Sequence, residues 1–373
     1  MIPLLGVVAS EQQHLTRTAR GAKSAGWPRP RNLASLTLAF LAFLSMWFYM
    51  KRVLIPSQIS SAASEERPRG NLSDLYPRWL GARELLLHGR DPYSAEITRE
   101  IQIGYYGRPL DPSRPHDPKD QTAFAYPVYV SFLLAPMLRQ DFHLVRTGFT
   151  WMLIALLLVS VPLWLKSLAW RVPPSGALTA CLLLLGSFGA AQGIKLQQLT
   201  LLVAAILAAA AAAITTRRLT LAGVLLAIST IKPQLSVVLG AWFLLWAVSD
   251  WRKRWPLLVS FAVTISVLLV GSEVALHGWI PKFLVALKAY IQYTDAASVL
   301  TNLLGAVTGL LLTAILLLLL ARVAWRFRYI PANSREFGLI TVLPLAVTML
   351  IIPTIAAYNQ VLLFPAILPA AQA

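Results

Sequence analysis

The feature that most restricts this chain is hydrocarbon without interruption. Beyond Asp141 the acidic residues are Asp250, Glu273, Asp295 and Glu336, and apolar runs follow one another almost to the end. A soluble domain needs polar side chains to cover its surface. A chain that is 57% hydrophobic and 13% charged instead reads as an all-α integral membrane protein. In lipid, main-chain amides have no water to bond, so each spanning run has to satisfy them internally as a helix. The net charge of +17 would suit a nucleic-acid partner. The basic residues, however, gather in short loops between apolar runs, as the positive-inside rule describes, and no nucleic acid is expected.

A span needs roughly 20 apolar residues. Residues 1–32 carry Arg17, Arg20, Lys23, Arg29 and Arg31 against Glu11 and read as a basic cytoplasmic tail. Residues 33–55 read as a retained first span, because no small-residue cleavage site follows them. Further runs at 144–165, 175–192, 198–214, 219–231, 235–248, 256–271, 301–321, 337–353 and 360–373 bring the expected total to about ten spans. The apolar stretch 124–138 is too short to cross and carries Pro127 and Pro136, so it reads as an interfacial or re-entrant segment. If it does not cross, the basic loops 166–171, 217–218, 252–254 and 322–328 share a side with the basic tail. The expected layout is then a cytoplasmic N-terminus, an extracytoplasmic loop over 56–143, and a transmembrane bundle over 144–373. The chain ends at Ala373 within or just after an apolar run, which reads as a longer protein cut short.

Ten of the 16 acidic residues fall between Glu65 and Asp120, inside that one polar loop. Within it, 72–88 has helical periodicity: Leu72, Leu75, Tyr76, Trp79, Leu80, Leu86 and Leu87 lie near one stripe. Such a helix would lie in the interface plane with Tyr76 and Trp79 at headgroup depth. Ser73 is the expected N-cap and Pro77 is tolerated in the first turn. Asp74 then sits where the helix dipole favours negative charge. Its two readings are a helix cap and a general base that takes a proton from a sugar hydroxyl. The proline-rich, charged segment 108–120 reads as a mobile surface loop that could order over substrate. Cys181 is the single cysteine, so no internal disulfide forms. His116 and His277 have no metal-ligand spacing, and neither a metal nor a cofactor is expected.

Several short strings share an order and spacing. They are Asp74-x-Tyr76, Ala82-Arg83, Gly89-Arg90-Asp91-Pro92-Tyr93 and Phe124-Ala-Tyr126-Pro127. After them come Leu196-Gln197-Gln198-Leu199-Thr200-Leu201, Ala222-Gly223 with Lys232-Pro233, and Pro353 with Tyr358-Asn359 and Pro365. Together they resemble the bacterial polyprenol-phosphate-mannose-dependent glycosyltransferases of family 87, from about residue 70 onward. Two departures stand out: Gln197 occupies a position that is usually Gly, and Val128 replaces the second Pro of a Tyr-Pro-Pro pattern.

The resemblance implies a GT-C-like multi-span bundle with juxtamembrane helices in its first extracytoplasmic loop and a catalytic acid near the start of that loop, the position of Asp74. It implies an inverting hexosyltransferase that moves a mannose-like sugar from a polyprenyl-phosphate donor to a glycolipid or glycan hydroxyl, at the outer face of the plasma membrane. Such a donor brings a phosphate that needs a cation. Lys232 is the first candidate, its other reading being a lysine that snorkels to headgroups, and Arg78 is the second. Gln198 and Tyr126 are candidates for sugar or phosphate contact, and Glu273 and Asp295, in an expected loop over 272–300, for an auxiliary acid. The rival class is a lipid or polysaccharide transporter. Against it, the spans hold almost no ionisable residue at depth and no internal repeat is visible.

Overall fold

A computed structural model describes residues 30–66, 72–294, 296–353 and 356–370; the basic tail up to Arg29 and Asp295 lie outside the described residues. Among the described residues all regular structure is helical. The helices in chain order are α1 (Pro30–Tyr49), continued through a π-helical turn at Met50–Leu54 into α2 (Ile55–Ser64), then α3 (Leu75–His88), α4 (Ala95–Tyr106) and the short α5 (Val130–Leu134). They go on as α6 (Phe142–Ser167), α7 (Pro174–Leu185), α8 (Phe188–Leu196), α9 (Leu199–Thr215), α10 (Leu219–Ser229), α11 (Pro233–Ser249) and α12 (Trp251–Ala275). The last are α13 (Trp279–Tyr293), α14 (Val299–Leu304), α15 (Ala306–Phe327), α16 (Arg335–Ile351) and, after a 3₁₀ segment at Ala357–Leu363, α17 (Phe364–Ala370).

Four segments are long and apolar enough to cross a bilayer: Leu33–Ser64, Phe142–Ser167, Trp251–Ala275 and Ala306–Phe327. The run expected as one span over 175–192 is two helices, α7 and α8, bent by 60°, and makes a fifth if counted as one. Gly186 and Ser187 make the break: the Ser187 hydroxyl accepts from the Ala190 amide and starts a new helix. Leu199–Thr215, Leu219–Ser229 and Pro233–Ser249 are apolar but shorter. They form the centre of the molecule, where Leu201, Val203, Leu207, Ala208 and Ala211 of α9 are all inaccessible to solvent. α10 lies close against α12: a Cβ at Gly223 would come within 2.3 Å of the Leu257 carbonyl, so only glycine admits this approach.

The segment 124–138 forms no span-length helix; it bends at Tyr126, turns at Val128–Tyr129, then forms α5 and a single 3₁₀ turn at Ala135–Met137. The helix expected over 72–88 forms as α3, but it does not offer an apolar stripe to a membrane surface. Trp79 is 4% exposed, its indole donates to the Met137 carbonyl at 3.2 Å, and its ring lies against Phe142 of α6. The expected loop over 272–300 is mostly the helix α13.

The basic loops gather at one end of the bundle. α9 runs from Gln198 to Thr215 and Arg217, and α11 from Lys232 to Asp250, so the turn at 217–218 and the start of α12 at 252–254 lie together, and Arg254 donates to the Arg328 carbonyl beside them at 3.0 Å. Asp74, Gln198 and Lys232 lie at the other end.

Candidate active site

Asp74 is the N-cap residue of α3, yet its side chain makes no capping bond, and Ser73, the expected cap, has a buried hydroxyl without a partner among the described residues. The capping reading of Asp74 is therefore overturned. The main-chain amide of Asp74 donates to the Leu196 carbonyl at 2.9 Å, which fixes the start of α3 to the turn between α8 and α9. The carboxylate turns away from its own helix. One oxygen accepts from the Tyr105 hydroxyl at 3.3 Å and the other from the Gln198 side-chain amide. A carboxylate offers about four lone-pair sites, so room remains for a further donor.

The turn that presents Gln198 is tight. Gln197 has φ +52°, the left-handed region, and ends α8; Gln198 then donates its main-chain amide to the Gly193 carbonyl at 2.8 Å. This explains why glycine suits the residue before Gln198. Here Gln197 holds the conformation with its own side chain, which donates to Thr150 Oγ1 and to the carbonyls of Ile194 and Lys195.

Lys232 sits in the turn between α10 and α11 and is 7% exposed. Its ammonium donates to Thr200 Oγ1 at 2.6 Å and Gln198 Oε1 at 3.4 Å, and lies 5.1 Å from the centre of the Tyr358 ring. Thr200 in turn donates to Asn359 Oδ1 at 3.1 Å. Among the described residues no carboxylate lies within ion-pair distance of Lys232. Arg78 folds back to donate to the main-chain carbonyl of Asp74, rather than to its carboxylate, and its guanidinium lies over the Tyr126 ring at 4.8 Å.

Tyr126 is held from behind by the Gly89–Tyr93 string. Gly89 takes φ +68° to end α3, Asp91 accepts from the Tyr93 amide at 2.9 Å, and the Tyr93 hydroxyl donates to the Tyr126 carbonyl at 2.6 Å. Asp91 also pairs with Lys282 of α13 at 2.8 Å. Tyr129, three residues on, donates to the Thr230 carbonyl at 2.9 Å and so ties this stretch to the Lys232 turn.

Asp74, Arg78, Tyr126, Gln198 and Lys232 line one cavity of about 210 Å³. Tyr105, Asp120 and Tyr290, which the sequence reading did not single out for the site, also line it, as do Tyr358 and Asn359 of the string noted near the end of the chain. Burial pushes the Asp120 carboxyl above its ordinary value, against the pull of the Thr122 amide and Arg78. Burial, and then Asp74, push the Tyr105 phenol well above 10, so it stays a donor. Burial pushes Tyr290 up to about 12. Burial alone would also raise Tyr126, but Lys232 and Arg78 outweigh it and hold that phenol below its ordinary value. The potential in the cavity is positive on that side.

Glu273 does not line the cavity. It ends α12, accepting from the Gly278 amide and meeting His277, each at 2.8 Å, which removes it from the auxiliary-acid position. The segment 108–120 is braced rather than loose. Arg108 grips Asp117 through two bonds of 2.5 and 2.7 Å, and hydrogen bonding to Arg108 holds the Asp117 carboxyl down at about 2. Among the described residues no group of three His, Cys, Asp or Glu is placed to hold a metal.

A family model, glycosyltransferase family 87, matches residues 124–353. This chain belongs to glycosyltransferase family 87. The matched stretch takes in Tyr126, Gln198 and Lys232, together with the helices that carry them, and its apolar helices make this family 87 chain a membrane glycosyltransferase. Asp74 and Arg78 precede the matched stretch, and their place in the site rests on the geometry above. No curated protein matches this family 87 chain.

Proposed function

We propose that this family 87 protein transfers a mannose-like hexose from a polyprenyl-phosphate donor to a hydroxyl of a glycolipid or glycan acceptor, with inversion, at the extracytoplasmic face of the plasma membrane. The observation that carries the reading is the pairing of opposites across one cavity: the Asp74 carboxylate on one wall, and on another the buried Lys232 ammonium, whose hydrogen-bond partners Thr200 and Gln198 are uncharged. A buried cation without a counter-ion is costly, and an arriving phosphate relieves that cost.

In the step itself, the acceptor oxygen bonds to the anomeric carbon from the side opposite the phosphate, and its proton passes to Asp74. The bond between the anomeric carbon and the phosphate oxygen breaks, and the polyprenyl phosphate keeps the electron pair. The departing group gains one negative charge, beside Lys232 and Arg78, where charge stabilisation lowers the barrier most. The Tyr105 and Gln198 donors aim the Asp74 carboxylate. The proposed setting is a GT-C-like bundle of about ten spans, with the short apolar helices counted and the N-terminus in the cytoplasm. The basic end of the bundle then faces the cytoplasm.

The test is transfer by the purified full chain in lipid vesicles, from labelled polyprenyl-phosphate mannose to envelope glycolipids. Label in product from the wild type and none from Asp74→Asn supports the reading. Equal product from both removes Asp74 from the chemistry.

A further inference from the structure

A second cavity, of about 1030 Å³, opens at the end of the bundle opposite Asp74. Four cations line it, Arg217, Arg218, Lys253 and Arg254, against one carboxylate, Asp250, which lies 3.7 Å from Lys253. Arg254 forms a fixed floor. It is 8% exposed, its guanidinium stacks 3.7 Å from the centre of the Trp246 ring, and its Nη1 donates to the carbonyls of Trp246 and Arg328. Those bonds use one nitrogen and lock the plane of the group, while Nε and Nη2 have no protein acceptor among the described residues. A locked, buried guanidinium with an open edge is suited to a phosphate, whose oxygens take its N–H groups in parallel.

The surroundings indicate where that phosphate comes from. Trp251, Trp255, Trp325 and Tyr329 are exposed by 63, 53, 59 and 60% around the same end of the bundle. Exposed Trp and Tyr mark the depth of lipid headgroups, and basic pockets between spans at that depth hold anionic headgroups. We propose that this cavity binds the phosphate headgroup of an anionic membrane phospholipid, seated on Arg254 and enclosed by Arg217, Arg218 and Lys253. The proposal is independent of the sugar-transfer reading, since no residue of the catalytic cavity takes part in it.

The experiment is native mass spectrometry of the full chain in non-ionic detergent, titrated with phosphatidylglycerol or phosphatidylcholine. The expected result is one tightly held phosphatidylglycerol per chain, not matched by phosphatidylcholine. Replacing both Arg217 and Arg218 with Gln should weaken it about thirtyfold. These two side chains are exposed, so the fold survives their loss, and Arg254→Lys should weaken binding as well because the planar edge is gone. Arg171→Gln, a basic residue outside the cavity, should leave it unchanged. Undiminished phosphatidylglycerol binding by the Arg217/Arg218 double variant would overturn the proposal. So would displacement of the lipid by pyrophosphate at equal concentration, which would assign the cavity to a soluble phosphate.

Discussion

Gln198 donates its side-chain amide to the Asp74 carboxylate across 124 positions of sequence. The same amide accepts from Lys232 on its oxygen side, at 3.4 Å, so one side chain separates the proposed base from the proposed phosphate contact. Removing it should loosen both. Gln198→Ala is expected to lower kcat about a hundredfold with a smaller change in KM. Gln198→Glu is expected to be worse still, because it sets a second negative charge against Asp74. Steady-state transfer kinetics check both, and a Glu variant as active as the wild type would detach Gln198 from the base.

On the proposed reading, Lys232 faces a charge that grows as the donor's bond breaks. Lys232→Gln should therefore lower kcat by about a hundredfold and also raise the KM for donor, whereas a merely structural lysine would change thermal stability alone. Comparing kcat, KM and the melting transition of the same variant separates the two outcomes.

Gln197 carries a left-handed φ that glycine adopts freely, and its Oε1 is buried without a partner among the described residues. Gln197→Gly relieves both, at the loss of the three bonds made by Nε2. Gln197→Ala loses those bonds and keeps the strain. Glycine should therefore be the more stable of the two variants by about 1 kcal/mol, measured by thermal unfolding in detergent.

The Tyr93 hydroxyl reaches the Tyr126 carbonyl from outside the cavity. Tyr93→Phe should cost about 1 kcal/mol of stability and reduce transfer by displacing Tyr126, without altering the pH profile. A shifted profile would mean that Tyr93 takes part in proton transfer.

The pH dependence has a definite sign at two groups. The Tyr105 phenol is raised well above 10, so activity should show no loss from its ionisation up to pH 10. Asp117 is held down at about 2 by Arg108, so the bracing of residues 108–120 is complete above the ordinary carboxylate range and is lost as pH falls through about 2. Hydrogen exchange of that segment across the acid range measures it.

Much of this was legible in the sequence, because apolar length and turn residues are local signals. The helix expected over 72–88 and the long spans followed from them, whereas Tyr126, Gln198 and Lys232 were singled out through the family resemblance. What was missed depends on distant contacts. The break at Gly186 follows from close packing, since a Cβ there would come within 2.9 Å of the main chain of Phe43, although Ser187 did carry a capping signal. Asp120 reads as one more loop charge until the Arg108–Asp117 brace turns its neighbourhood inward. Tyr290 was hidden because α13, 15 residues long, is too short to register as a span and lies inside the expected loop.

The helices that end at the Asp74 cavity are short. α10 has 11 residues and α9 and α11 have 17 each, about 16 and 25 Å at the helical rise, against a hydrocarbon layer of about 30 Å. On the proposed reading, with their basic ends anchored at one interface, their other ends would stop below the opposite one, and Asp74 and Lys232 would lie at the bottom of a wet dimple in the membrane. The proposed donor, a sugar on a lipid-borne phosphate, would then reach Asp74 by sinking a few ångströms, and its long tail would never have to leave the oil.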